Sequence, residues 1–153
     1  MVATGLTQQV KKIDGTCHCG NIRFFLRWPE SEVDIPVRKC SCTFCRKHGG
    51  AWTSHRRSQL TVIIADHALV SKYRFGTKTA DFYVCSICGV APFVLSEINE
   101  NLYAVVNINT FENADSLSFS GSATNFDGED EGSRLERRVR NWIPNVLFDT
   151  SAT

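Results

Sequence analysis

The chain has 153 residues, 42% hydrophobic and 22% charged, with a formal net charge of +1. These values fit one soluble globular domain and exclude a disordered chain. No apolar run approaches the roughly 20 residues of a membrane helix.

The small net charge conceals an asymmetry. Residues 1–80 hold 13 Lys or Arg against 5 Asp or Glu, whereas residues 81–153 hold 4 against 11. The favoured reading is that the two halves fold together and cancel; the other is a basic surface for an anionic ligand.

In chain order, Met1 to Ile13 reads as a loose polar lead-in without the apolar core of a secretory signal, so residues 1–12 are expected to be a tail. A single domain is expected over 13–145, with a second tail over 146–153. Ile22, Phe24 and Leu26 alternate within a predicted strand at 21–27. Residues 28–36, with two prolines, and 40–50, rich in Cys, Gly and basic residues, read as loops.

Strands are predicted over 60–65, 69–75, 81–84, 90–95 and 102–107. Pro92 would place the fourth of these at an edge or a bulge. Residues 127–132 form an acidic loop. Ser133 with Glu136 three residues later is a capping-box signature. Leu135, Val139, Trp142 and Ile143 follow at helical spacing until Pro144 stops the helix. This helix is expected to pack its apolar face on the sheet and to expose Arg134, Arg137, Arg138 and Arg140. Reading nucleic acid with those arginines is the less favoured alternative.

Seven cysteines are the unusual feature. The number is odd, and without a secretory signal a reducing, cytoplasmic setting is expected. They fall in three groups: Cys17 and Cys19; Cys40, Cys42 and Cys45; Cys85 and Cys88. Such clusters imply zinc held by thiolates.

A four-plus-three division closes one structural site on Cys17, Cys19, Cys85 and Cys88. It leaves Cys40, Cys42 and Cys45 as a second zinc site whose fourth position is open, as catalytic zinc requires. That second ion is expected to be the more labile. The rival division groups Cys42 and Cys45 with Cys85 and Cys88 as a zinc ribbon and strands the other three.

Three thiolates around a divalent ion make an anionic centre suited to thiolate chemistry. Arg46 and Lys47 can offset its charge and attract an anionic substrate, with Arg56 and Arg57 as further candidates. Gly49 and Gly50 allow close backbone approach, Trp52 supplies core or pocket wall, and His48 is the candidate general acid or base. No motif of a zinc nucleobase deaminase, zinc protease, phosphate loop, dinucleotide fold or serine hydrolase is present.

Three segments, Gly15-Thr-Cys-His-Cys-Gly20, Cys40-Ser-Cys-Thr-Phe-Cys-Arg-Lys47 and Phe82-Tyr-Val-Cys-Ser-Ile-Cys-Gly89, together resemble one family in order and spacing. It is the glutathione-dependent formaldehyde-activating enzyme family, which includes centromere protein V. The resemblance implies a mainly β, mostly antiparallel, zinc-stapled β-tent-like fold, to which the sequence adds one short C-terminal helix. It also implies structural zinc on Cys17, Cys19, Cys85 and Cys88 and catalytic zinc on Cys40, Cys42 and Cys45.

The implied reaction is that of a carbon–sulfur lyase acting on a small-molecule substrate, a glutathione adduct of formaldehyde or a related electrophile. A lyase or dehydratase without glutathione, or a zinc-stabilised binding module, are the alternatives on the same scaffold.

Overall fold

A computed structural model describes residues 10–126 and 128–150, and the strands among them form two sheets. β1 (Val10–Thr16) and β2 (Ile22–Pro29) make an antiparallel hairpin with Ile13 opposite Leu26. β2 pairs with β5 (Gln59–Ile64), and β11 (Asn145–Phe148) completes this four-stranded sheet in parallel with β5.

The seven-stranded sheet begins with β10 (Ser118–Thr124), β3 (Asp34–Cys40) and β4 (Trp52–Thr53). It continues through β9 (Asn101–Asn107), β8 (Phe93–Ile98), β7 (Asp81–Cys85) and β6 (Val70–Tyr73). Its pairings are antiparallel except for β10 on β3. The helices are α1 (Thr43–His48) and α2 (Glu131–Asn141). The molecule is thus mainly β with one C-terminal helix, as expected, and with a short extra helix at the second cysteine group. No described helix is long and apolar enough to cross a membrane.

Alternation builds the core between the sheets. Ile22, Phe24, Leu26 and Trp28 of β2 are fully buried, as are Leu60 and Val62 of β5. They join Phe93 and Leu95 of β8 and Ala104 and Val106 of β9 in one cluster. Each of the Val, Leu, Ile and Phe side chains among them contributes about 1.5–3 kcal/mol by leaving water. The intervening residues Val94 and Val105 lie in a second cluster with Cys45, Trp52 and Trp142. β8 is therefore covered on both faces, which explains its nearly unbroken apolar run.

Several local expectations change. Pro92 precedes β8, an inner strand, so it removes no donor from the ladder; its carbonyl accepts from Asn107 N at 2.8 Å. Residues 10–13 and 34–36 are strand rather than lead-in and loop, while residues 1–9 lie outside the described residues. β10 and β11 form where no alternation marked them, because their partners lie far away in sequence.

The cap of α2 is Asp130, not Ser133. Its carboxylate accepts from Ser133 N at 2.8 Å and from Ser133 Oγ at 3.2 Å. An ionised carboxylate complements the positive end of the helix better than a hydroxyl does. Glu131 and Gly132, read as loop, are consequently the first helical residues.

Candidate metal centres and the adjoining cavity

The first cysteine group sits in the turn after β1, where Cys17 N donates to Ile22 O at 2.9 Å. The third group begins at the end of β7, where Gly89 N donates to Cys85 O at 2.8 Å. The turns meet, so that the sulfurs of Cys17, Cys19, Cys85 and Cys88 all lie within 4.8 Å of one another. Cys17 and Cys19 are 3.8 Å apart and Cys19 and Cys85 3.5 Å apart, sulfur to sulfur. A tetrahedron with zinc–sulfur bonds near 2.3 Å would place its sulfurs about 3.8 Å apart, so the cluster fits such an ion.

Burial, joined by hydrogen bonds with the Cys19 and Cys88 thiols, pushes the Cys17 thiol up to about 12. Burial also pushes Cys88 upward, but hydrogen bonds involving Val90, Cys19, Cys85 and Cys17 outweigh it and bring Cys88 down to about 6. Sulfurs this close cannot all ionise without a cation among them, as the donor set of a metal site requires. His18, between two of them, is exposed. The ribbon division does not form, because Cys85 and Cys88 group with Cys17 and Cys19.

Cys40, Cys42 and Cys45 make the second cluster, again with sulfurs within 4.8 Å. Cys40 ends β3, and Cys42 caps α1 by accepting from Cys45 N at 3.4 Å. Cys45 is buried, and its thiol is pushed up first by hydrogen bonding with Cys40, then by burial and Cys42. Gly49 ends α1 at φ +86°, donating to Cys45 O at 2.8 Å. The left-handed turn is what this glycine permits.

These three cysteines line a cavity of about 470 Å³ on the outer face of the seven-stranded sheet. One wall is apolar, with Trp52, Phe75, Phe82, Val94, Val105 and Trp142. The polar wall carries Arg38, Arg134, Arg137 and Arg138. Arg137 makes two hydrogen bonds to Glu129, at 3.0 and 3.1 Å, and lies over the Phe126 ring. Arg134 donates to Phe126 O and stands 3.7 Å from Glu129 Oε1.

Arg138 is only 6% exposed and sits over Trp142. Its Nη1 donates to Thr79 Oγ1 at 2.8 Å and to Ser96 Oγ at 3.1 Å, and its buried Nε has no partner. Arg38 donates to Ser54 Oγ at 2.6 Å.

The model of the glutathione-dependent formaldehyde-activating enzyme family matches residues 12–126. The chain belongs to that family. A curated relative from Halomonas elongata, described provisionally as a glutathione-dependent formaldehyde-activating enzyme, is 27% identical over 89 residues. That match covers 54% of this chain and 55% of the relative, about half the length of each. A crystal structure of a Rhodobacter sphaeroides protein is similar with a TM-score of 0.53 and 28% identity, covering 70% of this chain and 99% of that one.

The region matched by the family model contains both cysteine clusters, but α2 begins beyond its end. The residues expected around the second cluster divide accordingly. Trp52 lines the cavity. Gly50 lies against Trp52, where a Cβ would stand 2.6 Å from its ring. Arg46 and Lys47 are exposed on α1 and are absent from the lining, as are Gly49 and His48. The His48 ring stacks on Phe44 at 5.4 Å. Arg57 pairs with Glu32 at 3.0 Å away from the cavity.

The cationic wall comes instead from Arg38 and from the helix expected to expose its arginines. Arg134, Arg137 and Arg138 recur at i, i+3 and i+4, a shared helical face that was visible in the sequence. Val139 on the supposed apolar face is 43% exposed.

Proposed function

We propose that this protein is a zinc-dependent carbon–sulfur lyase acting on the glutathione adduct of formaldehyde or of a related electrophile. The observation that carries the reading is that a three-cysteine cluster forms one part of a cavity whose polar wall is built from arginines. Family membership supports the substrate class. Cys40, Cys42 and Cys45 would hold the catalytic zinc, which supplies a Lewis acid with one open position. Cys17, Cys19, Cys85 and Cys88 would hold the structural one.

The chain's own groups bind and orient. The arginines receive the carboxylates of the glutathione portion. Trp52, Phe82 and Trp142 exclude water from the reacting end. In the lyase direction the carbon–sulfur bond breaks, its electron pair goes to sulfur, the hydroxyl proton leaves, and the carbonyl forms.

Nuclear magnetic resonance of ¹³C-formaldehyde mixed with glutathione tests this. Zinc-loaded protein should speed adduct formation and breakdown above the uncatalysed rate, and Cys42→Ser should abolish the acceleration. No acceleration by the zinc-loaded wild type would refute it. One observation favours a lyase without glutathione: no described carboxylate lines the cavity to receive the ammonium of a γ-glutamyl group. Acceleration with an anionic thiol lacking that ammonium, and none with glutathione, would select this second reading.

A further inference from the structure

The four cavity arginines are not equivalent. Glu129 lies within ion-pair distance of Arg134 and Arg137. Among the described residues, no carboxylate lies within that distance of Arg38 or Arg138. Arg138 is more than nine-tenths buried, yet its hydrogen-bond acceptors are an uncharged carbonyl and two hydroxyls. Thr79 and Ser96 orient the guanidinium, and the Trp142 ring supports it, without neutralising it.

A buried cation left in this condition is costly unless an anion accompanies it. Burial, then Arg134 and Arg137, lower Arg138 to about 10 against a smaller opposing attraction from Glu129, which stands beyond ion-pair distance, so it keeps its charge at neutral pH. The face beside it is apolar, formed by Val94, Val105 and Trp142.

We infer that Arg138, assisted by Arg38, is the seat for a substrate carboxylate and sets the cavity's specificity for an anion carried on an apolar or thioether body. The planar fork of arginine suits a carboxylate. This inference rests on the reading of the cavity as the substrate site. It lies outside the region matched by the family model, since Arg138 belongs to α2.

Calorimetric titration of zinc-loaded protein with two pairs of probes tests the seat. One pair is 3-phenylpropanoate and its amide; the other is glutathione and its diethyl ester. In the wild type the carboxylate member should bind at least tenfold more tightly than its amide or ester partner. In Arg138→Gln the difference should shrink to within twofold, with the affinity of the uncharged amide unchanged. A purely structural role would weaken both members alike.

If Arg138→Gln does not fold, Arg138→Lys serves in its place. With the charge but not the fork, it should reduce the preference several-fold without abolishing it. The seat is overturned if neither pair shows a carboxylate preference in the wild type, if the preference survives the substitution unchanged, or if both members of a pair weaken equally. A preference confined to the phenylpropanoate pair supports the seat and refutes the glutathione reading. A preference in the glutathione pair, lost with Arg138, supports both.

Discussion

Replacing Cys88 by Ser should unfasten the cluster that joins the turn after β1 to the end of β7. The tie between Cys19 and Cys85 closes a loop of 66 residues. If the metal clip is treated as a cross-link, loop-closure entropy for that length amounts to about 4 kcal/mol at 25 °C. Losing the ion releases this tie while the packing around the two turns remains, so a loss of about 2–4 kcal/mol is expected. For a chain of this size each kcal/mol moves the melting temperature by about 2–4 °C, giving a fall of roughly 5–15 °C.

Cys42→Ser is the control. Its cluster spans only residues 40–45 and closes a short loop, for which the same relation gives about half the stabilisation. Serine also caps a helix well, so α1 keeps its start. Thermal melts by circular dichroism, with zinc measured by mass spectrometry, check both variants. Each should lose about one equivalent of zinc, and Cys42→Ser should lose about half as much stability as Cys88→Ser. An unchanged melting temperature in Cys88→Ser, or an equal fall in Cys42→Ser, would refute the structural assignment.

Glu129 is held below its ordinary value of 4.5 chiefly by hydrogen bonds from Arg137. A lowered carboxyl contributes stability that is present above the unfolded value and lost as pH falls through the folded one. Glu129→Gln should cost roughly 0.5–1 kcal/mol at pH 7, and urea titrations should show the difference from wild type fading below pH 4.5; a constant difference would contradict this. Gly50→Ala should drive the new Cβ against Trp52, costing about 1–3 kcal/mol. Unchanged indole fluorescence and stability would show that the ring is not seated there. Arg46→Ala should alter glutathione affinity by less than about twofold at physiological salt, since exposed charges are screened. A tenfold loss would return anion binding to α1.

The cysteine clusters were legible in the sequence because the chemistry of a metal donor set is local. Cys85 and Cys88, or Cys40, Cys42 and Cys45, stand close enough on a single turn to share a metal whatever the rest of the chain does. The strands of the sandwich were legible for a similar reason: Ile22, Phe24 and Leu26 alternate with the period of the pleat, and one face must leave water. The division into four and three cysteines was already favoured by the count of seven, and the meeting of two distant turns, which sets Cys17 and Cys19 against Cys85 and Cys88, decided it against the ribbon division. The parallel pairings of β10 and β11 likewise depend on partners far away in sequence.

The direction of α2 was decided by tertiary structure alone. Helical periodicity states which residues share a face; it does not state which face is covered. Arg138 carries the residue type of a solvated surface, yet Thr79, Ser96 and Trp142 supply hydroxyls, a carbonyl and a ring that let its guanidinium turn inward. The cavity's charge therefore comes from Arg38 and from a helix far along the chain, whereas Arg46 and Lys47, adjacent to the cysteines in sequence, are turned to solvent because α1 buries Cys45 on its opposite side.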